Sequence, residues 1–89
     1  MQNLVKEDSN LRSFFDYLFI EKGLSKNTIK AYGVDLEGFI NWLNNNKKIE
    51  YIKATELQIN NYISFLFKSN LKSSSINRKI SSIKALYLF

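Results

Sequence analysis

The sequence predicts an all-α fold, a bundle of four helices. Four segments repeat apolar residues at spacings of three and four. None alternates like a strand for long, and no proline interrupts the chain of 89 residues.

The first helix is predicted from about Asn10 to Lys22, with Asp8 or Ser9 as its cap. Leu11, Phe14, Phe15 and Leu18 share one side of it, and Gly23 is placed to end it in a left-handed conformation. The second is predicted from about Lys26 to Asn44, capped by Ser25. Ile29, Tyr32, Leu36, Phe39, Ile40 and Leu43 form its apolar stripe. Asn27, Lys30, Ala31, Val34 and Asn41 lie opposite. The run Asn44-Asn45-Asn46-Lys47-Lys48 is predicted to stop the helix and form a loop. Ile49–Ala54 is a connector with apolar anchors, brief enough for one extended piece.

The third helix is predicted to begin at Thr55, where Thr55 and Gln58 have capping-box spacing. Ile59, Tyr62, Ile63 and Leu66 give its buried side. A serine run, Ser73-Ser74-Ser75, precedes the fourth, and either Ser73 or Ser74 is its predicted N-cap. Ile76, Ile80, Ile83 and Tyr87 form its stripe, with Leu86 beside it. Ser74, Asn77, Arg78, Ser81 and Ala85 project the other way, with Lys79 and Lys84 on the flanks. The helical pattern persists to Phe89, as expected of a segment cut from a longer protein. Residues 1–89 are therefore expected to be a single domain.

Composition narrows the function. The chain has no cysteine and no histidine, which removes disulfides, thiolate metal sites and the commonest general acid or base. The acids form no close pair, and three scattered glycines make no phosphate loop. No catalytic site, cofactor or metal is expected. Tyr17, Tyr32, Tyr62 and Tyr87 sit at or near core positions, where packed rings are expected rather than nucleophiles. No apolar run has the length of a membrane span, and the polar start lacks the apolar core of a signal peptide. A soluble cytoplasmic protein, without membrane or small-molecule partners, is the expectation.

The formal charge is +5, and it is unevenly placed. Residues 1–56 balance acids against bases, whereas residues 57–89 hold Lys68, Lys72, Arg78, Lys79 and Lys84 and no acid. Such asymmetry suits a polyanion on one side. The outer face of the fourth helix is small or basic, which lets a helix approach a duplex closely. Its hydroxyls and amides can donate to phosphate oxygens, and Arg78 can pair bidentately with phosphate or guanine. The start of the second helix repeats this grammar in Ser25-Lys26-Asn27-Thr28-Ile29-Lys30. Each helix N-terminus adds free N–H groups and a positive dipole end. Either start alone reads equally as a capped helix with a solvated face; the two together, with the charge asymmetry, favour DNA.

These residues also carry a resemblance. YLFIEKGLSKNTIKAYGVDLEGFINWL (Tyr17 to Leu43) resembles the opening of Xer-type and phage-integrase tyrosine recombinases, with their pattern Leu-Ser-x-Asn-Thr-x-x-x-Tyr-x-x-Asp-Leu-x-x-Phe. Leu24, Ser25, Asn27, Thr28, Tyr32, Asp35, Leu36 and Phe39 match it. SSSINRKISSIKALYLF (Ser73 to Phe89) resembles that family's serine-rich entry to its fourth helix, with Arg78, Ser81, Ile83 and Tyr87 in place. Gly33-Val34 departs from relatives that carry basic residues there.

The resemblance implies a SAM-like core-binding domain, a four- to five-helix orthogonal bundle of two crossed hairpins. It implies a DNA-binding role, with the second and fourth helices approaching the major groove of a recombination site. By position, Lys26, Asn27, Thr28 and Lys30 would contact DNA from the second helix, and Ser74, Ser75, Arg78, Ser81 and Lys84 from the fourth. Lys72 and Asn77 complete the candidate DNA-binding set. It further implies a C-terminal catalytic domain, outside this sequence, that cuts DNA through a phosphotyrosine link and rejoins it. This segment would then not itself be an enzyme, and its partners would be double-stranded DNA and other recombinase protomers. The alternative is a helical protein–protein module indifferent to duplex DNA; a helix-turn-helix regulator fits poorly, because the first helix pair is too long. Two conditions follow for the folded chain: the two helix starts must share a side, and Arg78 must not be buried in an ion pair.

Overall fold

The computed structural model describes residues 8–47 and 49–89, so Lys48 of the asparagine–lysine run lies outside the described residues. The helices are α1 (Ser9–Ile20), α2 (Lys26–Trp42), α3 (Glu56–Phe67) and α4 (Ser73–Leu88). No strand occurs among the described residues. The first three helices begin where a stripe of apolar residues coincides with a capping side chain.

Of the two candidate caps for α1, Asp8 serves. One carboxylate oxygen accepts the backbone N–H groups of Asn10 and Leu11 at 2.9 and 3.0 Å. Its other oxygen accepts the Tyr51 hydroxyl at 2.7 Å, tying the start of α1 to the connector before α3. Gly23 follows α1 with φ +62°, and the Leu24 N–H reaches back to the Leu18 carbonyl at 3.1 Å, turning the chain into α2. Ser25 caps α2, its hydroxyl accepting the Thr28 N–H at 3.1 Å. Thr55 and Gln58 close the predicted capping box of α3, with the Thr55 N–H donating to Gln58 Oε1 at 2.7 Å.

Three local expectations are corrected. Asn44–Asn46 do not end the helix in a loop: Leu43–Lys47 continue it as a π turn. The Asn46 side-chain amide donates to the Trp42 carbonyl at 3.1 Å, so asparagine supplies a bond to the wider turn. The connector is extended only at Glu50 and Ala54; between them Tyr51–Lys53 form a 3₁₀ turn. Its conformation is fixed from afar, by Tyr51 on Asp8 and by the Tyr87 hydroxyl donating to the Tyr51 carbonyl. Neither Ser73 nor Ser74 caps α4. Lys72 occupies the cap position, its carbonyl accepting the Ile76 N–H at 3.1 Å, and no side chain caps the helix.

α1 packs on α2, α3 packs on α4, and the most extensive contact joins α2 to α4. The core is where these pairs meet: Leu11, Phe14 and Leu18 of α1; Leu36, Phe39 and Ile40 of α2 with Leu43 beyond it; Tyr62 and Leu66 of α3; Ile76, Ile83 and Leu86 of α4. Phe39 lies 4.9 Å from the Tyr62 ring and 6.3 Å from the Tyr87 ring, joining three helices. Trp42 stands 5.2 Å from Tyr62 at the far end of α2. Edge-to-face and tilted rings such as these contribute roughly 0.5–1.5 kcal/mol each beyond the area they bury. Phe89 closes the bundle near α1, 5.6 Å from Phe14 and 5.1 Å from Tyr17.

Candidate nucleic-acid interface

The two helix starts singled out in the sequence differ in how they are finished. At α2, Ser25 and Thr28 are occupied with one another: besides the cap, their hydroxyls lie 2.9 Å apart. Thr28 is half-buried, while Lys26, Asn27 and Lys30 are exposed. Lys26, Ile29 and Lys30 line a shallow depression with Phe15, Asp16 and Phe19 of α1, so one acid shares that depression with these lysines. Val34 is exposed, an apolar residue on this outer face of α2.

At α4 the first N–H groups carry no side-chain cap. Lys72, Ser74, Asn77, Ser81 and Lys84 are all exposed, and Ser75 is half-buried. Residues 74, 77, 81 and 84 succeed one another at spacings of three and four and so share one face. Ala85 is a correction: it packs against the core rather than projecting with that face.

Arg78 is placed otherwise than as a free cation. Its Nε and Nη2 donate to the two carboxylate oxygens of Asp35 at 2.8 and 3.0 Å, and Lys79 Nζ donates to the same carboxylate at 3.0 Å. Asp35 is wholly buried, whereas the Arg78 side chain keeps 45% of its surface and Lys79 keeps 18%. The hydrogen bonds to Asp35, followed by its charge, raise the Arg78 pKa, so the guanidinium stays charged. The ion pair thus exists, but only its acid is buried. Lys79, read as a flank residue, is a structural counter-ion.

Sequence reasoning missed Asp35, and a signal for it was present. Asp35 follows Tyr32 by three and precedes Phe39 by four, so it falls inside the apolar stripe of α2. An acid there needs a buried partner. The facing helix is the one with cations and no acid. Ser82 was also unassigned; it is wholly buried, and its hydroxyl donates to the Lys79 carbonyl at 2.8 Å. From Asp35 to Phe39 along α2, the α4 partners advance from Arg78 and Lys79 to Tyr87.

The tyrosines are packed. Tyr62 is buried, and burial, with the nearby charge of Asp35, raises its pKa. Burial pushes the Tyr87 pKa up to about 12. Burial and the hydrogen bond to Asp8 raise that of Tyr51. No three of His, Cys, Asp and Glu gather to hold a metal among the described residues, and no helix there is long and apolar enough to cross a membrane.

The family model for the phage integrase N-terminal SAM-like domain matches residues 11–89. Among curated proteins, the chain is 40% identical over 79 residues to tyrosine recombinase XerD of Rickettsia bellii, covering 89% of this chain and 26% of that protein. It is 42% identical over 79 residues to XerD of Rickettsia conorii, with the same coverage. To tyrosine recombinase XerC of Listeria innocua it is 34% identical over 86 residues, covering 97% of the chain and 29% of the relative. The chain thus spans little more than a quarter of the length of these relatives. No solved structure matches it.

Proposed function

Because this chain belongs to the phage integrase N-terminal SAM-like domain family, we propose that it binds double-stranded DNA and holds a tyrosine recombinase on its recombination site. Chemistry on the strands would belong to another part of the intact protein, which cuts and rejoins DNA in the cytoplasm. This segment contributes grip and position.

The observation that carries this reading is the outer face of α4. Ser74, Asn77, Ser81 and Lys84 stand exposed on one side, beside Lys72, at a helix start whose N–H groups have no side-chain cap. Uncapped N–H groups, hydroxyls and cations are what a phosphate chain requires. At the start of α2, Lys26, Asn27 and Lys30 are exposed as well. The contacts between α2 and α4 advance in the same direction along both helices, which favours a common side for their N-terminal halves. Thr28 and Ser75, half-buried, would contribute at the edge of this surface, and Arg78 through the donors Asp35 leaves over.

Most of the affinity would then come from phosphates. Neutralising about five of them gives a slope of log K against log salt near roughly −4.5. A salt titration with a labelled duplex measures it directly, and a flat profile would refute DNA binding by this surface.

Exposed apolar residues favour a second reading for other parts of the surface. Phe19, Ile20, Phe67 and Leu88 are 52%, 74%, 66% and 88% exposed. Contacts between recombinase protomers would cover such residues. A sedimentation measurement of the chain with and without duplex distinguishes an assembly formed on DNA from one formed without it.

A further inference from the structure

We infer that Asp35 is a positioning residue for DNA binding: it acts through Arg78, holding the guanidinium so that its unused N–H groups face a phosphate. The inference rests on the DNA-binding proposal above and goes beyond it, because Asp35 itself is wholly buried and touches no ligand.

Three features of the geometry lead there. First, the carboxylate has two cationic partners of unequal exposure. Lys79, at 18% exposure, is the interior counter-ion, and Arg78, at 45%, is the partner that reaches solvent. Lys79 alone balances the carboxylate's charge, so the Arg78 fork adds hydrogen bonds and a fixed geometry beyond neutralisation. Second, Asp35 takes Nε and Nη2 of Arg78 in a forked pair. That arrangement fixes the plane of the guanidinium and leaves Nη1 and the second Nη2 proton for another anion. Third, Arg78 lies between Asn77 and Ser81 on α4, next to the exposed polar face, so a phosphate held by that face lies within its neighbourhood. An arginine already locked in one rotamer loses less freedom on binding than a free one.

The sign of one measurement separates this role from plain electrostatics. Asp35→Asn removes a negative charge from a protein that binds a polyanion, so a field argument alone predicts tighter binding. Positioning through Arg78 predicts weaker binding.

The test uses the 89-residue chain and a short fluorescein-labelled duplex of random sequence, read by anisotropy across a salt series. Arg78→Ala is expected to weaken binding roughly tenfold and to lower the salt slope by about one. Lys79 remains to neutralise Asp35 in that variant, so the fold is retained. Asp35→Asn is expected to weaken binding at least roughly threefold, a fraction of the loss on deleting Arg78 outright. In the double variant Asp35→Asn should add nothing to Arg78→Ala, because the effect passes through the missing guanidinium. Should Asp35→Asn fail to fold by circular dichroism, Arg78→Lys decides: it keeps the charge and loses the fork, and is expected to bind several-fold more weakly. Equal or tighter binding by Asp35→Asn, multiplying effects in the double variant, or wild-type affinity in Arg78→Lys overturns the positioning role while leaving DNA binding intact. A wild-type chain that does not bind the duplex at any salt overturns both.

Discussion

Removing both cations that face Asp35 should cost more stability than removing each in turn. Arg78→Ala leaves the carboxylate with Lys79 at 3.0 Å, and Lys79→Met leaves it with the forked Arg78 pair while keeping an aliphatic stem of similar length. Arg78 is 45% exposed, so solvent already screens part of its interaction. Each single change should therefore cost about 1 kcal/mol. The double variant strands a wholly buried carboxylate without any cation, a situation that costs about 3–5 kcal/mol. The excess over the two singles is then about 1–3 kcal/mol, well beyond the ~0.5 kcal/mol within which independent sites add. Urea unfolding followed by circular dichroism gives all four free energies. In a domain of this size each 1 kcal/mol moves Tm by roughly 4–8 °C, so thermal melts resolve the excess too. A double variant whose cost equals the sum of the singles would refute the view that the two cations substitute for one another at one buried acid. So would a loss above about 3 kcal/mol for Arg78→Ala alone.

Further outcomes follow from the core, the turn and the tyrosines. Phe39→Ala removes a fully buried ring joining three helices and should cost about 3–5 kcal/mol. That is close to the whole stability of a small domain, so its circular dichroism spectrum should show partial unfolding at 25 °C. Gly23 holds φ +62° with open space around an added Cβ. Gly23→Ala should thus show only the backbone cost, roughly 1–2 kcal/mol, and Gly23→Asn less, in parallel melts. The folded Tyr87 pKa, about 12, lies above its ordinary 10.0. Its protonated form is therefore favoured by folding: the stability it contributes is complete below pH 10 and is lost as pH rises through 12. Tyr51 and Tyr62, also raised, act in the same direction. Tm should fall between pH 10 and 12 with a shallower slope in Tyr87→Phe, and an unchanged slope would count against burial of that hydroxyl.

What could be read from the sequence was local. Ser25, Asp8 and the Thr55–Gln58 pair announce helix starts because a side chain satisfies N–H groups two or three residues away. The stripes of α1, α2 and α4 announce the core because burial follows helical period. What escaped was set across the chain. The 3₁₀ turn at Tyr51 depends on Asp8 and Tyr87, residues 43 and 36 positions away. The role of Arg78 depends on Asp35, again 43 positions away. Periodicity alone says that Arg78 lies off the apolar stripe, not that an acid of α2 meets it there. The exposure of Lys72, Ser74, Asn77, Ser81 and Lys84 was legible from helical period alone. The pairing of Arg78 with Asp35 and the packing of Ala85 against the core were not legible.

Trp42 is the chain's one tryptophan, set among the rings of Tyr62 and Phe65 at the end of α2. Along the axis it stands about 24 Å from Lys26. Its ultraviolet emission is therefore a native gauge of whether α2 and α3 remain docked, and a nearly silent one toward a ligand held at the opposite end of α2. A red shift would mean opening of the bundle, and anisotropy on the duplex would report occupancy, so the two events separate within one sample without a dye on the protein.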